Sequence, residues 1–171
     1  SVGIAFDGLA PGADEFHCYS DSDWNTGHST AGWCAMYGNA TVGYASKRQH
    51  SIALSSTEAE VMAASLAGAE IIFMRGLLHE MGADVDEPTT LFVDNLGSLA
   101  LAKDRRSCHR SRHIERCYLK IREWVAQGQI VVKYKETDAN TADVLTKPRE
   151  RAPVERHCAT LGGTTAAVAA V

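Results

Sequence analysis

Three strand-like runs follow one another early in the chain, and a single long helical stretch comes directly after them. That order constrains the fold more than any other feature. Residues 16–24 (FHCYSDSDW), 31–37 (AGWCAMY) and 40–46 (ATVGYAS) read as strands, and Gly38-Asn39 between the last two is a short hairpin signal. A meander of three antiparallel strands is the simplest arrangement. Residues 56–81 then carry Ala59, Met62, Ala63, Leu66, Phe73 and Leu77 at helical spacing. Ser55-x-x-Glu58 and Thr57-x-x-Glu60 are overlapping capping-box candidates at the start of this helix, and Gly82 ends it.

The remainder alternates strand and helix. Residues 89–93 (TTLFV) after Pro88 form a short apolar run that predicts a buried strand. Asp94 and Asn95 can cap a brief helix through Lys103. A further helix follows, with Ile114, Cys117, Tyr118, Ile121 and Val125 on one face and Gly128 as its stop. Residues 129–135 alternate, with Ile130, Val132 and Tyr134 on one side. A short helix over 140–147 halts at Pro148, and residues 152–161 add another, lined by Val154, Cys158 and Leu161. The order predicts an α/β fold. Its mixed five-stranded sheet has three antiparallel strands, then two parallel ones, with helices on both faces.

A chain of 171 residues with 45% hydrophobic content fits one globular domain rather than disorder. No apolar run approaches the ~20 residues of a membrane span, so no membrane partner is expected. Ser1 opens no signal-peptide pattern, and the missing methionine points to a fragment or processed piece. The 5 cysteines are odd in number and widely spaced, which favours a reducing compartment over a disulfide framework. Net charge is −4, but its distribution is uneven. Residues 103–122 hold eight basic residues against two acids, a net +6, leaving nine against nineteen, a net −10, elsewhere. That polarity suggests a basic face for nucleic acid, with Arg105, Arg106, Arg110, Arg112 and Arg116 as phosphate contacts, and a separate acidic centre.

Four carboxylates stand at strand ends and helix starts, where open α/β sheets build sites. They are Asp21, Glu60, Asp94 and Asp143. If they converge, cations must neutralise them, and hard oxygen ligands suit Mg²⁺. Each also has a structural use. Glu60 could close a capping box, Asp94 could cap a helix, and Asp143 could favour a helix dipole. Asp21 is harder to explain that way, because an acid inside a central strand destabilises it unless paired or metal-bound. Periodicity does not decide between Glu58 and Glu60. Asp23 shares the strand face of Asp21 and is a secondary candidate.

YSDSDW at 19–24, STAGW at 29–33, YASKRQHSIALSSTEAEVMAA at 44–64, LFVDNLGSLALAK at 91–103, SRHIERCYLKIRE at 111–123 and TADVLTKP at 141–148 carry a resemblance. Together they resemble the ribonuclease H domain of copia-type LTR retrotransposon Pol polyproteins. The resemblance implies that Asp21, Glu60, Asp94 and Asp143 are the catalytic, metal-binding acids. It implies two Mg²⁺ ions, with Mn²⁺ as a substitute, no small-molecule cofactor, and an RNA–DNA hybrid as substrate. It also implies an upstream reverse transcriptase domain as partner. The domain reading is then a connector over 1–15, the ribonuclease H-like domain over 16–148, a helical extension over 149–162 and a loose tail over 163–171. The expected location is a cytoplasmic retroelement particle, with the nucleus as the alternative. Two departures stand out. Only Asn25 to His28 separate the DxDW and STxG blocks, and the loop Lys135-Glu136-Thr137-Asp138 lacks the histidine of many cellular ribonucleases H.

The expected function is an endoribonuclease that cuts the RNA strand of RNA–DNA hybrids during reverse transcription, by two-metal-ion catalysis. The alternative is a catalytically silent structural or nucleic-acid-binding module of a decayed retroelement. A recombinase of the same general fold fits less well, because Glu60 directly follows a three-strand meander. Cys108, His109, His113 and Cys117 invite a zinc reading, but no second cysteine pair supports it. Trp24, Trp33 and Trp124 could stack on bases, although Trp33 in mid-strand fits core packing better.

Overall fold

The computed structural model describes residues 4–6, 15–25, 27–95 and 112–162. Five strands form one sheet: β1 (His17–Ser22), β2 (Thr30–Tyr37), β3 (Ala40–Arg48), β4 (Thr89–Val93) and β5 (Ile130–Tyr134). Their spatial order is β3-β2-β1-β4-β5. β1 and β3 flank β2 in antiparallel register, whereas β4 lies parallel to β1, and β5 parallel to β4. Three described helices accompany the sheet: α1 (Ser56–Glu80), α2 (Arg112–Ala126) and α3 (Arg151–Leu161). The brief helix expected through Lys103 lies outside the described residues.

Alternation along each strand feeds two separate cores. Cys18, Trp33, Ala35, Leu91, Val93 and Ile130 point to the face covered by α1 and α2. Tyr19, Cys34 and Met36 point to the other face, where Ala142, Leu145 and Leu161 meet them. A strand buried on both sides reads as a continuous apolar run, which explains β2 (TAGWCAMY) and β4. Full burial of side chains such as Ile71, Leu91 and Ile114 contributes ~1.5–3 kcal/mol each. The β2–β3 turn places Gly38 and Asn39 at φ 62° and 57°, the left-handed pair that a tight hairpin requires.

Four sequence expectations need correction. Leu66, Phe73 and Leu77 are exposed; the inner face of α1 is Ala59, Met62, Ala63, Ala64, Ala67 and Ile71. The helix is apolar nearly all round, so small residues decided which side packs close to the sheet. By length and composition α1 could even cross a membrane, but its inner face packs against β1 and β2 as a core helix. On α2, Ile114, Tyr118 and Ile121 are buried as expected, while Val125 is exposed and Trp124 packs against the core instead. On α3, Cys158 is exposed and His157 is buried in its stead. The helix expected over 140–147 is two short 3₁₀ turns, Thr137–Ala139 and Thr141–Leu145. Asn140 between them is fully buried. Its Nδ2 donates to the Ser20 carbonyl (2.8 Å), and its Oδ1 accepts the Ala142 N–H, which holds the turns tight.

Candidate active site

Ser55 caps α1, its Oγ accepting the Glu58 N–H at 3.2 Å. The Glu58 carboxylate turns back to accept the Leu54 N–H at 2.9 Å, so Glu58 serves the helix start. Glu60 points elsewhere. Its Oε1 accepts the Ser22 N–H at the end of β1, 3.1 Å away. The choice that periodicity left open between the two glutamates is thus made by strand β1. Asp23 accepts the Thr30 N–H and closes the β1–β2 connection, a structural role.

Asp21, Glu60 and Asp94 come together at the end of β1 and β4. Each offers one carboxylate oxygen, and the three oxygens lie within 4.8 Å of one another. Each acid is held by a neighbour. The Thr146 hydroxyl donates to Asp21 Oδ2, the Ser22 N–H to Glu60, and the Thr137 hydroxyl to Asp94 Oδ2 at 2.9 Å. Yet Asp21 Oδ1 and Glu60 Oε2 are buried with no hydrogen-bond partner. Burial pushes the Asp21 carboxyl up to about 6 despite the Thr146 hydrogen bond and Lys147. Burial, then the charges of Asp21 and Asp94, push Glu60 up to about 9.

These residues fit a hard divalent cation. Oxygens around one octahedral Mg²⁺ are ~3–4 Å apart, given bonds of 2.0–2.1 Å, so a small contraction of the trio suffices. Two of these three acids each keep one buried carboxylate oxygen without a hydrogen-bond partner, which supplies the reason for a cation to bind.

Asp143 takes a different position. It is buried in the second 3₁₀ turn, and basic side chains occupy it. Lys147 Nζ lies 2.6 Å from its Oδ1. Arg149 grips it with two prongs, Nε to Oδ2 and the NH2 nitrogen to Oδ1 at 2.7 Å. Burial alone would raise this carboxyl, but the hydrogen bonds from Arg149 and Lys147 outweigh it and hold the group below its usual range. The trio and Asp143 are linked through Lys147, 3.8 Å from Asp21 Oδ2. Sequence reasoning missed Thr137, Thr146, Lys147 and Arg149. The spacing of Lys147, four residues after Asp143, was the available signal.

Gly32 explains how the last acid reaches the sheet. It lies opposite Asp21 on β2, and a Cβ there would stand 2.7 Å from Thr146 Cγ2 and 2.9 Å from Leu145 Cβ. Only glycine lets the 141–146 segment press onto the strand. Of the arginines expected to hold phosphates, Arg116 is exposed on α2; Arg105, Arg106 and Arg110 lie outside the described residues, and Arg112 opens the helix. Cys108 and His109 of the zinc reading also lie outside them, and Cys117 is a free thiol half-buried against the core. Trp33 is buried in that core, while Trp24 is exposed, its indole N–H donating to the Ala53 carbonyl.

The Pol polyprotein of transposon RE1 of Arabidopsis thaliana is 32% identical over 152 residues, 86% of this chain and 10% of the relative. That of transposon RE2 from the same plant is 31% identical over 150 residues, 85% of this chain. Among solved structures, LC11-RNase H1 in complex with an RNA/DNA hybrid superposes with a TM-score of 0.58 at 14% identity, covering 77% of this chain and 94% of that one. RNase H1 of Halobacterium salinarum gives a TM-score of 0.56 at 16% identity over the same shares. The chain is homologous to a segment of plant retrotransposon Pol polyproteins and has the ribonuclease H fold. It spans about a tenth of the length of the curated Pol relatives it matches. No protein-family model matches it. Its mixed sheet is that of the ribonuclease H fold.

Proposed function

We propose that this domain is an endoribonuclease that hydrolyses the RNA strand of RNA–DNA hybrids in a divalent-metal-dependent reaction. The observation that carries the reading is the trio Asp21, Glu60 and Asp94, converged with two buried oxygens unpartnered. Asp21, Glu60 and Asp94 would hold a Mg²⁺ or Mn²⁺ ion, with Asp21 and Asp143 the candidate ligands of a second. Such ions supply Lewis-acid stabilisation of phosphate charge and a more acidic water.

The chain's own groups do the positioning. Thr146, the Ser22 N–H and Thr137 fix the three acids before any ligand arrives, so little ordering is left to be done on binding. The basic segment, with Arg105, Arg106, Arg110, Arg112 and Arg116, would grip phosphates. An A-form-like hybrid with 2′-hydroxyls on one strand gives the basis for telling RNA from DNA. The hybrid bound by LC11-RNase H1 on a similar fold supports this substrate, and the length of the Pol relatives supports a polymerase neighbour in the same polyprotein.

The test is incubation with end-labelled RNA–DNA hybrid, double-stranded DNA and double-stranded RNA, each with Mg²⁺ or EDTA. RNA-strand cleavage confined to the hybrid and abolished by EDTA is the expected result. Equal cutting of DNA duplex, or activity that survives EDTA, overturns the reading. Hybrid binding with no cleavage under any metal would favour the silent-module alternative.

A further inference from the structure

The acidic centre has two unequal halves. On one side Asp21, Glu60 and Asp94 converge, with Asp21 Oδ1 and Glu60 Oε2 unpartnered. On the other, Asp21 and Asp143 are bridged by one ammonium group: Lys147 Nζ is 2.6 Å from Asp143 Oδ1 and 3.8 Å from Asp21 Oδ2. A carboxylate oxygen has about two lone-pair sites. Those of Asp143 Oδ1 are both used, by Lys147 and by the Arg149 NH2 nitrogen at 2.7 Å. Nothing can bind that oxygen until one donor leaves.

The two donors differ in how easily they leave. Arg149 is a planar fork with both prongs on one carboxylate, so release breaks two bonds at once. Lys147 makes a single-point contact through a flexible stem. Its side chain is 33% exposed and that of Arg149 30%, so the single contact, not exposure, makes Lys147 the weaker hold. Its head can swing into water without disturbing the sheet, while Arg149 keeps Asp143 oriented.

We propose that Lys147 is a built-in counter-cation that fills the gap between Asp21 and Asp143, so that a divalent ion bridging Asp143 Oδ1 and Asp21 enters only by displacing it. The inference rests on the reading of the acids as metal ligands and deepens it. The two halves load in order. The Asp21–Glu60–Asp94 half binds its ion with Lys147 in place. The Asp21–Asp143 half fills at higher metal concentration, because its ion must compete with a tethered positive charge.

The experiment is calorimetric titration of the domain with Mn²⁺, without nucleic acid, for the parent, Lys147→Met and Lys147→Arg, with thermal melts in EDTA alongside. The parent should show one tighter and one weaker binding step. In Lys147→Met the weaker step should tighten about tenfold or more, the scale of removing a competing charge ~4 Å away at a partly exposed site. Its melting temperature in EDTA should fall, since two buried carboxylates lose their shared counter-charge. Lys147→Arg should resemble the parent in both respects. Lys147→Gln repeats the measurement should the methionine variant misfold. A weaker step unchanged or weakened by neutral variants overturns the proposal while leaving the metal reading intact. Failure of parent and variants alike to bind Mn²⁺ overturns both.

Discussion

Glu60→Gln should stabilise the metal-free domain at neutral pH even as it removes a metal ligand. The side chain is 6% exposed, and its folded-state value of about 9 stands well above the 4.5 of a free glutamate. Because the folded value is the higher one, the folded chain holds a proton that the unfolded chain has lost throughout that window. The contribution of Glu60 to stability is therefore fully present below about pH 4.5 and is lost progressively as pH rises towards 9. Each unit costs about 1.4 kcal/mol, so pH 7 carries a penalty of about 3 kcal/mol relative to acid pH. Glutamine cannot ionise, keeps the oxygen that accepts the Ser22 N–H, and matches the shape of the protonated acid. Thermal melts in EDTA should place Glu60→Gln up to ~10 °C above the parent at pH 7, at ~2–4 °C per kcal/mol for a domain of this size. The gap should close near pH 4.5. With excess Mg²⁺ the order should reverse, because only the parent gains from tight binding to the folded state. Equal melting temperatures in EDTA at pH 7, or a gap that does not change with pH, would refute the reasoning.

Glu58→Gln should leave metal-dependent cleavage intact and cost about 1 kcal/mol or less in a denaturant titration, because Glu58 serves the start of α1, whereas Glu60→Gln should abolish cleavage. Neutralising Arg105, Arg106, Arg110 and Arg112 together should weaken hybrid binding and flatten its salt dependence, by up to ~0.9 log units of slope per lost phosphate contact. The cleavage rate at saturating hybrid should stay near the parent's; an unchanged salt slope would mark these arginines as surface charge only. Gly32→Ala drives a methyl group against Thr146 and Leu145, so it should cost ~1–3 kcal/mol and reduce cleavage further than that loss of stability explains, as single-turnover kinetics on folded protein would show.

The sheet was legible because its strands obey simple rules. β2 and β4 are short apolar runs, and Gly38-Asn39 announces a tight turn. The inner face of α1 was not legible, because a helix rich in alanine and apolar on most sides gives periodicity little to distinguish. Asp21 stood out in the sequence as an acid in a central strand, and the structure buries it there. The setting of Asp143 was legible only in part, through Lys147 four residues on. Its local environment is made by Lys147 and Arg149, whose side chains reach back through a 3₁₀ turn that helical periodicity does not describe. The threonine donors Thr137 and Thr146 were invisible for a related reason: their partners lie 43 and 125 residues away.

The clasp between β1 and the 140–146 segment also has a consequence in time. Asp21 leaves the ribosome long before Thr146, and Ser20 long before Asn140, across separations of 125 and 120 residues. At synthesis rates of ~5–20 residues per second, Asp21 waits roughly 6–25 s for its hydroxyl partner. Throughout that interval the end of β1 lacks the segment that supplies its Thr146 and Asn140 partners. Completion of the acidic centre is thus among the last events of the domain's biogenesis, set by translation of its final turns.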